Sequence, residues 1–219
     1  MANVREQRYL TLLPVEKIIE TPITIIGCGA IGRQAALALS IMGVKQLFIY
    51  DDDVVSIENF GCQGYRPEQL GQLKVDALSK DLLSNNPEIK ITKGNFKVDK
   101  EHPLINKDEA FIIFCCVDSI SAREYLWKTY GIYCTLWIDA RMAAEVAEIY
   151  TATPQSRLEY EKSFFPEEEA YQAPCTASST FYNASIAGNI MIAQMTRFMR
   201  NRQIEPKLTI DIANMDLIV

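Results

Sequence analysis

The 219-residue sequence contains a single histidine. That residue, His102, precedes Pro103 in a charged loop and is no candidate for catalysis. None of the six cysteines, Cys28, Cys62, Cys115, Cys116, Cys134 and Cys175, forms a C-x-x-C pair. A structural zinc site normally needs such close pairs, so none is expected. No uninterrupted apolar run reaches the roughly 18 residues that a bilayer span requires. The first ten residues, MANVREQRYL, lack the apolar core of a signal peptide. A cytoplasmic location with reduced thiols, and no membrane partner, is therefore expected. Positive charge is also short. Lys and Arg number 22 against 28 Asp and Glu, a net charge of −6, which argues against a general nucleic-acid binder. There is no internal repeat and no low-complexity linker.

What remains is a chain that is 48% hydrophobic and long enough for a substantial core. One α/β domain over 1–219 is expected, with an N-terminal extension over 1–20 and a crossover loop over 152–178. Strand and helix patterns alternate. Strand Ile23 to Ile26 leads into a glycine turn, and a helix runs from about Ala30 to Met42, stopped by Gly43. KQLFIYDDD reads as a strand ending in three acids. SIENFGCQGYRPEQLGQ reads as a loop before an amphipathic helix from Lys74 to Leu83. IKITKGN and AFIIFCCVDS are the third and fourth strands, with Cys115 and Cys116 as small core residues. SAREYLWKTYG is a helix. CTLWIDARMAAEVAEIYTATP reads as one or two strands bent near Arg141. Pro154 to Thr176 has no clear periodicity. A long helix over about Ser178 to Arg200 precedes two short strands, KLTIDI and MDLIV.

Strands separated by helices imply βαβ units. The expected fold is a Rossmann-like, mostly parallel sheet with helices on both faces and antiparallel C-terminal strands. Ligands of such sheets bind outside the carboxyl ends of the strands. The glycine turn, Asp51 to Asp53 and Asp118 all fall at such ends.

Gly27-Cys28-Gly29-Ala30-Ile31-Gly32 matches G-x-G-x-x-G. Glycine there permits a tight turn, close approach to phosphate and close helix–strand packing. The N-terminus of the following helix favours negative charge. Asp51, at the end of the second strand, is placed to bind ribose hydroxyls. An NAD-dependent oxidoreductase would satisfy the same pattern.

The stretch DDDVVSIENFGCQGYRPEQLGQLKVDAL separates the two readings. It resembles the ThiF/MoeB superfamily, the adenylating domains of ubiquitin-activating-type enzymes. Asp51, Asp53, Val55, Asn59, Phe60, Gln63, Gly71 and Lys74 keep the order of the family pattern D-x-D-x-V-x-x-x-N-L-x-R-Q followed by G-x-x-K. Cys116-Val117-Asp118 matches the family's C-T/V-D at the end of the fourth strand. The resemblance is close over Ile23 to Ser119 and looser to Arg200.

This resemblance implies ATP-dependent adenylation of a C-terminal carboxylate. The acyl partner would be a small ubiquitin-like or sulfur-carrier protein, or a peptide, and the enzyme a homodimer. It implies that Asp51 holds the ribose and that Asp118 ligates Mg²⁺, a hard cation suited to carboxylate oxygen. Lys74 would contact the phosphates, and Asn59 and Gln63 would donate hydrogen bonds near the α-phosphate. Asp53 and the turn residues would complete the nucleotide site.

One departure stands out. The family's arginine in N-L-x-R-Q falls on Cys62. Arg141, Arg66, Arg33 (whose helix position also leaves open a solvent-facing side chain), or Arg5 and Arg8 from a neighbouring subunit are the candidate replacements. Cys175, just before the long helix, is a candidate thiol nucleophile, because a helix N-terminus lowers a thiol's pKa. The substituted arginine also leaves open a non-catalytic nucleotide-binding or scaffolding protein.

Overall fold

The computed structural model describes residues 12–104, 112–131, 133–166 and 180–219. Its sheet has eight strands in the order β3-β2-β1-β4-β5-β6-β7-β8. β1 (Ile23–Ile26) is flanked by β2 (Gln46–Tyr50) and β4 (Ile112–Cys115), with β3 (Lys90–Gly94) outside β2 and β5 (Leu136–Ala143) outside β4. These five strands are parallel. β6 (Val146–Ala152), β7 (Lys207–Asp211) and β8 (Asp216–Ile218) extend the sheet antiparallel. The expected fold class is the one observed.

The helices divide between the two faces. α2 (Ala30–Ile41), α4 (Lys74–Asn85) and α7 (Phe181–Met199) pack on one face. α5 (Ile120–Leu126), a π-helical turn at Trp127–Gly131 and α6 (Arg157–Glu161) pack on the other. Side chains alternate across a strand, so Ile25, Leu47 and Phe114 join the first core, whereas Ile26, Phe48 and Ile113 join the second. Burial on both faces explains why the parallel strands β1 and β4 read as apolar runs interrupted only by Thr24.

Several local expectations are corrected. The 1–20 extension contains a helix, α1 (Val15–Glu20), whose Ile18 is buried in the first core. The loop after Asp53 folds into α3 (Glu58–Gln63) and a 3₁₀ turn at Pro67–Gln69. The unpatterned stretch after Pro154 contains α6, with Tyr160 buried. The bend expected near Arg141 is at Ala144, whose φ is 52°, so Arg141 itself sits inside β5. The apolar stretch AGNIMIAQM of α7 is largely spent inside: Ala187, Met191 and Met195 are sealed in the first core. Exposed apolar side chains in the C-terminal strands are Leu217 and Ile218 on β8. No described helix is long and apolar enough to cross a membrane.

Candidate functional site

A cleft of about 790 Å³ opens at the carboxyl ends of the parallel strands. It is lined by Gly27, Gly29, Ala30 and Ile31, by Asp51, Asp52 and Asp53, and by Gln63, Lys74 and Asp118. It continues to Arg123 on α5 and to Arg141 on β5.

The glycine turn is held from three sides. The Cys28 N–H donates to Asp51 Oδ2 at 2.6 Å, and the Asp53 N–H donates to Asp51 Oδ1 at 2.9 Å. The Tyr65 hydroxyl donates to the Cys28 carbonyl at 2.8 Å. The Cys116 N–H donates to the Ile26 carbonyl at 2.8 Å. Gly27 has φ +96°, and a Cβ built there would lie 2.5 Å from the Cys116 carbonyl oxygen. A Cβ on Gly32 would collide with the Gly27 carbonyl. Both glycines are therefore demanded by backbone contact. Burial pushes the Asp51 carboxyl above its ordinary pKa, against the opposing pull of Lys74 and of its two backbone hydrogen bonds. Burial also pushes the Cys28 thiol upward, so Cys28 is a packing residue.

Lys74 reaches the cleft because the chain doubles back. Val55 N–H bonds to the Gln72 carbonyl at 2.9 Å, and Lys74 N–H bonds to the Asp53 carbonyl at 2.9 Å. The start of α4 is thereby stitched to the end of β2. The Lys74 ammonium is buried and pairs with Asp53 Oδ2 at 2.7 Å, while the Asp53 side chain is 64% exposed. Gln63 ends α3 beside Gly29, and its Oε1 is buried with no hydrogen-bond partner. Asp118 follows β4 and is exposed. The N-cap of α5 is taken by Ser119, whose hydroxyl accepts from the Ala122 N–H at 3.1 Å, so Asp118 faces the cleft without a capping duty.

Asn59 does not line the cleft; its Oδ1 accepts from the Ser56 N–H at 2.9 Å and shapes the start of α3. Cys62 does not line it either, and its thiol contacts the Glu58 carbonyl at 3.2 Å. Cys175, Arg5 and Arg8 lie outside the described residues.

The candidate arginines are occupied. Arg33 does not point into solvent. It is buried, bonds Asp81 and the Gly64 carbonyl at 2.9 Å each, and lies over the Tyr65 ring at 4.6 Å. Arg66 pairs with Asp81 at 2.9 Å and with Glu68 at 2.5 Å. Arg141 spends all three guanidinium nitrogens internally. Nε donates to Asp139 Oδ2, Nη1 to the Ser163 carbonyl and Nη2 to Ser163 Oγ, each at 2.8 Å. Its guanidinium stacks on Tyr150 at 4.3 Å.

Sequence reasoning missed the centre of this arrangement. Asp139 is fully buried and accepts from Arg123 Nε at 2.8 Å, from Arg141 and from the Tyr160 hydroxyl at 3.0 Å. Arg123 also donates to the carbonyls of Val117 and Ala140. A signal for it existed: Ile120, Arg123 and Leu126 share the buried stripe of α5, where an arginine needs a buried partner.

Comparison with known proteins places this geometry. A model of the ThiF family matches residues 5–218. The chain is 29% identical over 128 residues to ubiquitin-like modifier-activating enzyme 5 of Caenorhabditis elegans, covering 53% of this chain and 30% of the relative. It is 31% identical over 120 residues to the Dictyostelium discoideum protein of the same name, covering 49% and 32%. The match thus spans about a third of each relative's length. Among solved structures, E. coli MccB with AMPCPP and MccA superposes on 99% of this chain and 70% of its own, with TM-score 0.77 at 17% identity. PaaA superposes on 93% of this chain and 64% of its own, with TM-score 0.70 at 16% identity. At such identities the likeness is one of fold.

Proposed function

The chain belongs to the ThiF family, and from that membership we propose that it adenylates the C-terminal carboxylate of a small ubiquitin-like or sulfur-carrier protein, or of a peptide, at the expense of ATP. The observation that carries this reading is the convergence in one cleft of the tethered glycine turn, the buried ammonium of Lys74 and the exposed carboxylate of Asp118. The names of the relatives and the nucleotide and peptide named with MccB support it.

The residues fit a nucleotide. Gly29 lines the cleft, where a Cβ would stand with nothing nearer than the Gln63 side chain at 3.9 Å, and the unpartnered Gln63 Oε1 marks a polar group short of a partner. α2 opens directly from the turn, so its first N–H groups and dipole favour a phosphate there. Asp51 would take the ribose hydroxyls, and Lys74 would exchange Asp53 for phosphate oxygens. Asp118 would hold Mg²⁺, which supplies charge neutralisation between two anionic reactants.

In the reaction, a carboxylate oxygen of the acyl partner forms a bond to the α-phosphorus. The bond from that phosphorus to the pyrophosphate oxygen breaks, and pyrophosphate leaves with the electron pair. The chain's task is to align the two anions, not to supply a nucleophile. Asn59 would serve through its Nδ2, because its Oδ1 already accepts from the Ser56 N–H. A homodimer would let an arginine of one subunit serve the cleft of the other.

ATP–pyrophosphate exchange in the presence of candidate C-terminal tails tests the reading. Exchange dependent on a tail and on Mg²⁺ is expected. Tighter binding of NAD than of Mg–ATP in calorimetry would overturn it. A second reading, a nucleotide-binding scaffold without turnover, is favoured by Cys62 and by the internal pairing of Arg33, Arg66 and Arg141. ATP binding without exchange for any tail would select it.

A further inference from the structure

We propose that Arg123 is the arginine that meets the nucleotide phosphate in this protein, in place of the one lost at Cys62. The inference rests on the adenylation reading and adds a residue to it.

Arg123 lines the cleft from the last turn of the short helix α5. Its side chain is only 5% exposed, yet it is not fully used. Nε is taken by Asp139, and Nη2 by the carbonyls of Val117 and Ala140. Nη1 makes no hydrogen bond within the described protein, and it is not among the polar atoms sealed from solvent without a partner. Arg33, by contrast, has Nε and Nη1 both sealed and unpartnered outside the cleft. Arg141 has no nitrogen to spare. Arg123 is thus the cleft-lining arginine with one guanidinium nitrogen wholly unengaged among the described residues.

The charge balance favours an anion here. Two guanidinium groups share the single carboxylate of Asp139, and the Tyr160 hydroxyl completes the shell. The group therefore carries one net positive charge in a region that burial makes poorly screening. A guanidinium bond to a phosphate oxygen is charge-assisted and stronger there than in water. Position agrees as well. The Val117 carbonyl held by Arg123 lies one residue beyond Cys116, whose own carbonyl packs against Gly27 of the phosphate turn. An oxyanion on that turn is separated from Arg123 by the end of β4 alone. The neighbouring anionic groups do not cancel the charge: Asp118 is exposed, and Glu148 is paired with Lys207 at 2.5 Å.

The test compares adenosine with AMP by calorimetry. These probes differ in the phosphate alone. Arg123→Gln should weaken AMP binding roughly tenfold or more, the worth of one charge-assisted bond, and change adenosine binding less than about twofold. Equal losses for both ligands would overturn the proposal and leave Arg123 as a partner of Asp139. If Arg123→Gln does not fold, Arg123→Lys with the same two ligands decides the matter: a larger loss for AMP supports the proposal, and equal losses overturn it. A crystal structure of the unaltered protein with AMP answers independently. A phosphate oxygen within hydrogen-bond distance of Nη1 supports the assignment, and one out of reach overturns it. Failure of the unaltered protein to bind AMP or Mg–ATP at all would instead overturn the adenylation reading, and this proposal with it.

Discussion

On the β2–α4 side of the cleft, Lys74 pairs with a carboxylate that is 64% exposed; on the β4–β5 side, Arg123 and Arg141 pair with one that is fully sealed. The same pair of charges has different uses in the two places. An ion pair with one partner in water gains little, typically less than about 1 kcal/mol, and either member can exchange its partner. A sealed pair gains little net stability too, but breaking it strands a charge and costs about 3–5 kcal/mol. The first arrangement suits a ligand that must come and go. The second suits a wall that must stay put, and it fixes the segment through Ser163 that carries Phe165 to the cleft.

The sharpest way to break this comparison is Asp139→Ala. It strands two buried guanidinium groups and should cost about 3–5 kcal/mol of stability. For a chain of this length that lowers the melting temperature by roughly 6–20 °C, read by thermal unfolding. A shift below about 2 °C would mean that the wall tolerates free charge. Lys74→Met should do the reverse. It should weaken Mg–ATP binding by roughly tenfold or more in calorimetry, through one lost bond of about 1.5–3 kcal/mol, and leave the melting temperature nearly unchanged. Arg141→Gln should cost about 1–3 kcal/mol of stability, because the Ser163 carbonyl and Asp139 lose donors. Turnover of the folded protein should hold steady, measured by pyrophosphate exchange. A tenfold loss of exchange with unchanged stability would restore Arg141 as the phosphate arginine.

Much of the first wall was legible in the sequence because its signals are local. The glycine turn, Asp51 and the start of the helix at Lys74 each sit beside a strand end, and parallel strands buried on both faces announce themselves as apolar runs. The second wall was not. Its contacts join Arg123 to Asp139 and Tyr160 to Asp139 across separations of 16 and 21 residues, from two short helices onto one strand. No periodicity carries such a pairing. The short helices α1, α3 and α6 escape sequence patterning for a related reason. They are 6, 6 and 5 residues long, too few for a 3.6-residue period to repeat, and are held by tertiary contact. The place of Arg33 on a helix beside the glycine turn leaves open a solvent-facing side chain, whereas that side of the helix is roofed by Tyr65 and Asp81.

Two smaller measurements sharpen the contrast further. Ser119→Ala removes the N-cap of α5, where the walls meet, and should cost about 1 kcal/mol in denaturant unfolding. A cost near zero would show that α5 is held by Arg123 alone. Thiol labelling should follow burial. The Cys115 and Cys116 thiols are raised by burial, and Cys134 is pushed up to about 12. All three should carry little thiolate at pH 8 and react more slowly with iodoacetamide than half-buried Cys62. Faster labelling of Cys134 would place an opening in the second core.

The tightness of the glycine turn has a genetic consequence. The atoms that exclude a Cβ at Gly27 and Gly32 belong to the main chain, the carbonyls of Cys116 and of Gly27 itself. Main-chain atoms are the same whatever side chain a codon specifies. A Gly32→Ala lesion should therefore yield no second-site suppressors in a selection, because no other substitution can move the obstructing carbonyl. At Gly29 the nearest atoms are those of the Gln63 side chain, 3.9 Å away, an ordinary contact, so Gly29→Ala should leave folding intact and any defect should fall on nucleotide binding alone.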